Sequence, residues 1–321
     1  MTDAPSKQAA PAPRVSVVVP VSERHDDLAA IYRVHRQVLR EMGLSCELIF
    51  VLDGRFPEAE RQLATPEKEP DCTVIRFPRH YGESRALSAG FAAARGELVL
   101  TLAAYLQIQP AEIAKLFAEL TPAQDMVTGS RFPRRDNWVN RVQSRLFHGL
   151  VRRLTGESFQ DVSCGVRLLR REVLAHLGLY GDLHRFLPLL AIQKGFKVKE
   201  VPLAQACEDC RLRLYRPGVY WRRLLDILSV FFLFKFTQKP LRFFGLLGSG
   251  IGLFGLLLAG TTVFQRFFFH HGLANRPLFL IGVLITLVGL QTFFIGLIGE
   301  IIIFLHMPEQ PRYRIDKLIE R

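Results

Sequence analysis

The residues in this chain with the means to do chemistry are acids, arginines and one tyrosine placed just after apolar runs. Asp53 stands in Asp53-Gly54, directly behind the run Cys46 to Leu52. Asp161 opens a glycine-containing loop, Asp-Val-Ser-Cys-Gly-Val, that leads to Arg167. Between them, Gly96 to Glu112 (GELVLTLAAYLQIQPAE) reads as a buried parallel strand that runs out into a polar turn, with a new helix near Pro110. The carboxyl end of such a strand is where α/β folds put their ligands. A phosphate-handling enzyme is expected to place acids at that spot, and this chain has Ala103, Ala104 and Tyr105. Each acid also has a plain structural role open to it: Asp53 shapes a turn, and Asp161 caps a loop.

Other candidate motifs point away from chemistry. Five cysteines, an odd number without disulfide-framework spacing, fit a reducing setting. Cys207-Glu-Asp-Cys210 is a lone CxxC without a second half-site, which favours two incidental thiols over zinc. Gly248, Gly250, Gly252 and Gly255 resemble a dinucleotide loop, but no strand precedes them, and close helix packing explains them better. Glu300, near the end of a long apolar run, either marks function or reaches the interface or a neighbouring helix.

The elements that must position these residues follow from the pattern. Strands are expected at Arg14 to Pro20, Cys46 to Leu52, Cys72 to Phe77, from Leu98, from Asp125 and at Gly195 to Pro202. Helices are expected at Leu28 to Met42, Glu83 to Ala94 and, as an amphipathic helix, Arg141 to Leu154. Strands alternating with helices imply a mostly parallel α/β sheet with right-handed crossovers. Tyr220 to Phe236 has the pattern of a helix lying in a membrane interface. Phe243 to Phe264 is uncharged over about 22 residues, enough as a helix to cross a bilayer, and Pro277 to Leu305 forms a second crossing.

The net charge of +12 and pI of about 9.8 fit anionic lipid better than nucleic acid, because many bases flank the apolar runs and no nucleic-acid motif is present. Bases before the first crossing and in the tail, with only two in residues 265–276, put both termini and the main domain on the cytoplasmic side of an inner or cytoplasmic membrane. The expected organisation is a disordered tail at 1–13, the α/β domain at 14–216, a juxtamembrane region at 217–241, two transmembrane helices at 242–306 and a cytoplasmic tail at 307–321.

Taken in order, these landmarks resemble the family 2 glycosyltransferases, specifically the polyprenyl-phosphate (dolichol-phosphate) sugar transferases. Val17 to Ser22 is similar to the family's VVVPVYNE strand, Phe50 to Gly54 to its VDDGS turn, and Arg79 to Gly90 to its RNxG helix start. Gly129-Ser-Arg131-Phe, Asp161 to Leu168, His184-Arg185-Phe186 and Glu200-Val-Pro202 match GSRF/Y, DxxxGFRL, HRF and EVPV. The segment written DADLQDPPE in the family is here Ala103 to Pro110, with Leu-Gln and the later Pro kept and both metal-binding acids gone. The YNE positions are Ser22, Glu23 and Arg24, and the lipid-phosphate loop keeps only Tyr215 and some positive charge.

The resemblance implies a GT-A-like sheet with helices on both faces and transfer of a sugar from a nucleotide-sugar to a polyprenyl-phosphate lipid. It places Pro20, Ser22, Asp53, Gly82, Tyr105, Gln107 and Arg131 at the donor, Arg211, Arg213 and Tyr215 at the acceptor phosphate, and Asp161 and Arg167 nearest the reaction. The resemblance leaves Mg²⁺ or Mn²⁺ open as cofactor, but its acid pair is absent, and no other cofactor is implied. In its place Arg131, Arg167, Arg211 and Arg213 are expected to clamp the diphosphate. The alternatives are a catalytically silent relative acting as a lipid-phosphate-binding partner, or a basic membrane-surface scaffold. Homo-oligomers through the two-span tail stay open.

Overall fold

A computed structural model describes residues 12–22, 24–133, 149, 152, 159–179, 181, 183–206, 240–269 and 277–305. Arg211, Arg213 and Tyr215, expected at the acceptor phosphate, Cys207 and Cys210, the stretch 220–236 expected to lie in a membrane interface, most of the expected amphipathic helix 141–154 and both tails lie outside these residues. The described residues fall into two compact units, a sheet domain and a pair of long helices.

The sheet domain is built from β1 (Val15–Val21), α1 (Leu28–Glu41), β2 (Cys46–Leu52), α2 (Pro57–Leu63), β3 (Cys72–Arg76), α3 (Glu83–Ala93), β4 (Leu98–Thr101), α4 (Ile113–Glu119), β5 (Met126–Arg131), β6 (Arg167–Arg170), α5 (Arg171–Leu174), α6 (Leu187–Gln193) and β7 (Val198–Leu203). The seven strands lie in the order β3-β2-β1-β4-β6-β5-β7. β6 runs antiparallel to both neighbours, and every other pairing is parallel. β1 and β4 are buried at every position, as expected of inner strands covered on both faces.

The two faces are covered by different helices. α1 turns Leu28, Ile31, Tyr32, His35 and Leu39 inward, and the Asp27 carboxylate caps its start by accepting from the Ala29 and Ala30 N–H groups at 3.0 and 3.1 Å. On the other face α3 comes so close that a Cβ at Gly90 would collide with Val18. The short α2 has no counterpart in the sequence reading, because it buries only Ala59 and Leu63, too few positions to show a period. At the amino edge of the sheet, buried Glu47 accepts from Ser16 Oγ at 2.7 Å and from the Arg95 N–H and Nε at 2.8 Å. That charge is structural, at the edge opposite the strand ends where ligands bind.

The second unit is α7 (Pro240–Phe269) against α8 (Pro277–Leu305), both long and apolar enough to cross a membrane. Its interior is made of glycine. Gly282, Gly289 and Gly296 are the buried positions of α8, and Leu246, Leu253, Leu280, Leu284 and Phe304 face outward. A water-soluble helix pair would invert that arrangement, so the packing suits lipid. The Glu300 carboxylate accepts from the Leu241 N–H at 3.3 Å, which satisfies an orphan donor in the first turn of α7.

Candidate active site

The site residues gather along the carboxyl ends of β2, β1 and β4. The Asp53 N–H donates to Val21 O at 2.9 Å, so the end of β2 sits against the end of β1. Asp53 is buried, and its carboxylate accepts from the Tyr81 N–H at 2.7 Å and the Gly82 N–H at 3.0 Å, with His80 Nδ1 at 2.8 Å. Gly82 has φ +96°, which a side chain rarely adopts, and it presents its N–H to that carboxylate. Asp53 therefore holds the turn ahead of α3. Pro20 is buried inside β1, and Ser22 Oγ, just beyond it, is shielded from water without a hydrogen-bond partner among the described residues.

Asp161 and Arg131 close the far side. Arg131 Nε lies 2.6 Å from Asp161 Oδ2 and its Nη2 3.1 Å from Oδ1, with both side chains largely out of water. Ser163 Oγ adds a donor to Asp161 Oδ1 at 2.7 Å. Glu200 on β7 accepts from the Gln160 and Asp161 N–H groups at 2.7 and 2.8 Å. Burial, joined by the nearby Asp161 charge, raises the Glu200 pKa despite those two bonds.

Arg167 departs from the expected clamp. Its guanidinium is buried and donates to the carbonyls of His184 at 2.8 Å, Val162 at 3.2 Å and Arg185 at 3.3 Å. Burial lowers its pKa below the ordinary arginine value. In this arrangement Arg131 is held on Asp161 and Arg167 on main-chain carbonyls. Spacing alone cannot show this, because each arginine's partner lies at least 15 residues away in sequence, apart from Val162.

The end of β4 leads into Ala103, Ala104 and Tyr105. Gln107 is buried; its Nε2 donates to Tyr105 Oη at 2.8 Å and its Oε1 accepts from the Gly165 N–H at 2.8 Å. The Arg24 guanidinium carbon lies 4.1 Å from the Tyr105 ring centroid. A divalent cation needs several hard oxygen ligands. Here the place offers two methyl groups, a phenol ring, the Asp26 carboxylate and a guanidinium that pairs with it and repels an ion, and no three potential metal ligands gather among the described residues, so these residues do not fit a metal.

Several contributors were not singled out as site residues from sequence. Arg24 had a signal, since it fills the acid position of the YNE motif. Glu83 and His184 also belong: His184 Nε2 is 3.2 Å from Glu83 Oε2, and Ser84 Oγ accepts from the His184 N–H at 3.1 Å. Burial pushes Glu83 up, but the His184 hydrogen bond and the charges of His184, Arg185 and Arg167 outweigh it and leave its pKa lowered. The Ala206 N–H donates to Gln107 O at 3.1 Å, which ties the segment after β7 to the end of β4.

Known proteins share this frame. The model of the family "Glycosyl transferase family 2" matches residues 16–178. The undecaprenyl-phosphate 4-deoxy-4-formamido-L-arabinose transferase of Enterobacter sp. (strain 638) is 30% identical over 313 residues, covering 96% of this chain and 94% of that protein. Among solved structures, mannosyl-3-phosphoglycerate synthase from Rubrobacter xylanophilus matches with a TM-score of 0.55 at 16% identity, over 71% of this chain and 75% of that one. Glucosyl-3-phosphoglycerate synthase from Mycobacterium tuberculosis, solved with Mn²⁺ and UDP-glucose, matches with a TM-score of 0.52 at 16% identity, over 68% and 79% of the two chains. The two structures share the fold; the sequence relationships carry the assignment, and the chain belongs to glycosyltransferase family 2.

Proposed function

We propose that this protein transfers a sugar from a nucleotide-sugar to a polyprenyl-phosphate lipid at the cytoplasmic face of a membrane, without a metal held by an acid pair. The observation that carries the proposal is the nearly end-to-end similarity to an undecaprenyl-phosphate sugar transferase, together with two helices whose large apolar side chains face outward. The α/β domain at 14–216 does the chemistry, the region 217–241 lies along the membrane, and the spans at 242–306 anchor it.

The acceptor itself explains why no general base is needed. A phosphate monoester has a second pKa of about 6, so at neutral pH it is mostly a dianion and already a nucleophile. Its oxygen forms the new bond to the anomeric carbon as the bond to the donor's β-phosphate oxygen breaks. The electron pair leaves on the nucleoside diphosphate, and no proton has to move. The protein's work is then alignment and charge neutralisation. Asp161 and Arg167 serve as positioning residues that hold the loop 161–167. Asp53 and Gly82 shape the donor side, Ser22, Tyr105 and Gln107 line it, and Arg211, Arg213 and Tyr215 take the acceptor phosphate.

The test uses the full chain in detergent with radiolabelled nucleotide-sugars and either polyprenyl phosphate or polyprenol. Label passing to the phosphate lipid and not to the alcohol is the expected result. Binding of polyprenyl phosphate with no transfer from any donor would instead make the protein a silent, lipid-binding relative.

A further inference from the structure

Arg24 and Tyr105 meet where the strand order turns back on itself. β1 pairs with β2 on one side, and β4, reached from β3, joins its other side. Open α/β sheets bind ligands outside the strand ends at such a switch point. The parts here are held firmly. The Asp26 N–H donates to Ala104 O at 2.9 Å, which pins the Arg24 segment to the end of β4. Tyr105 is tied through Gln107 to the Gly165 N–H, and thereby to the loop that carries Asp161. Arg24 lies on the tyrosine ring, keeps 22% side-chain exposure and reaches the two oxygens of Asp26 at 3.4 and 3.5 Å.

We propose that Arg24, seated on Tyr105, is the cation that binds the diphosphate of the donor. A guanidinium seated over an aromatic ring is positioned in advance, and its fork of donors matches two phosphate oxygens. The ring also limits the side-chain entropy lost on binding. Arg131 and Arg167 are built into Asp161 and into main-chain carbonyls, whereas Arg24 stands at the switch point itself. Arg24 and Tyr105 thus work as one unit, the acidic and metal-bound charge pattern of the family replaced by a side-chain cation. The inference rests on the nucleotide-sugar reading above.

Calorimetry on the full chain in detergent tests it, with UDP, GDP and the matching nucleosides as probes, in EDTA and in Mg²⁺ or Mn²⁺. The wild type is expected to bind a nucleoside diphosphate equally well with and without metal. Arg24→Ala is expected to weaken that binding by about tenfold or more, the loss of a charged hydrogen-bonding partner, without rescue by metal and with the nucleoside unaffected. Tyr105→Phe keeps the ring but loses the tie to Gln107 and should weaken binding less than Tyr105→Leu, which should fall toward Arg24→Ala. Melting curves confirm that each variant is folded. Unchanged diphosphate affinity in folded Arg24→Ala overturns the proposal, as does wild-type binding that EDTA abolishes. If the wild type makes glycolipid and Arg24→Ala binds and turns over equally well, this inference alone falls. If diphosphate binding depends on Arg24 but no glycolipid forms, the transfer reading falls and the cation site stands. A wild type that binds no nucleoside diphosphate sinks both.

Discussion

Arg131 and Asp161 form a buried two-point ion pair, Nε to Oδ2 at 2.6 Å and Nη2 to Oδ1 at 3.1 Å, that locks the end of β5 to the loop before β6. Removing one partner leaves the other charge uncompensated in a place water hardly reaches, at a cost of about 3–5 kcal/mol. Arg131→Ala is expected to lower the unfolding midpoint strongly. Arg131→Met combined with Asp161→Leu should be less destabilised than Arg131→Ala, because neither charge is then stranded. Denaturant titrations of the single and double variants decide this; a single variant as stable as the wild type would show that the pair contributes nothing.

Asp53 has the same kind of role with main-chain partners. Its carboxylate satisfies two main-chain N–H groups ahead of α3, and both lose their acceptor in Asp53→Ala. The expected loss is about 2 kcal/mol of stability, the scale for a buried donor left unpaired. With the Tyr81-Gly82 turn released, KM for the donor should rise more than kcat falls. A variant with wild-type stability and an intact KM would remove Asp53 from both roles.

Glu83 supplies a pH dependence whose sign follows from its lowered pKa. A carboxyl whose folded pKa lies below its unfolded value contributes stability above the unfolded pKa and loses it as pH falls through the folded one. Wild-type stability should therefore drop on acidification below the ordinary glutamate range. Glu83→Gln should flatten that part of the curve, leaving the contribution of other acids. Thermal unfolding of the two proteins from pH 7 down to the acid limit measures the difference; superimposable curves would rule the coupling out.

The helix pair sorts its glycines sharply. A Cβ at Gly255 would meet Thr286 N at 2.5 Å and Gly282 O at 2.7 Å, main-chain atoms that cannot step aside, whereas a Cβ at Gly250 meets nothing within 4 Å. Gly255→Leu is expected to part α7 from α8, and Gly250→Leu to be tolerated. Protease resistance and thermal aggregation in detergent distinguish them. Equal behaviour of the two variants would mean that the glycine seam does not hold the pair.

Much of the fold is legible in the sequence because burial leaves a local signature. β2 was expected from Cys46 to Leu52 and is found there, since an inner parallel strand is an unbroken apolar run. α8 likewise spans Pro277–Leu305, its length being imposed by a membrane-scale apolar segment.

What the sequence could not contain is who each charged side chain faces. Four arginines were candidates for one clamp by their neighbourhood in the chain. Of the two described, Arg131 turns to an aspartate 30 residues on and Arg167 to carbonyls of the 162 and 184–185 segments. Arg24, passed over as a mere departure from a motif, is brought onto Tyr105 across 81 residues by the pairing of β1 with β4. The antiparallel course of β6 was hidden for a related reason: four residues of apolar pattern read the same in either direction. Local sequence determined the strands, the spans and the family. The charge distribution at the site was decided only when the sheet set distant loops side by side, because electrostatic partnership depends on distance in space and on burial, and neither is a property of spacing along the chain.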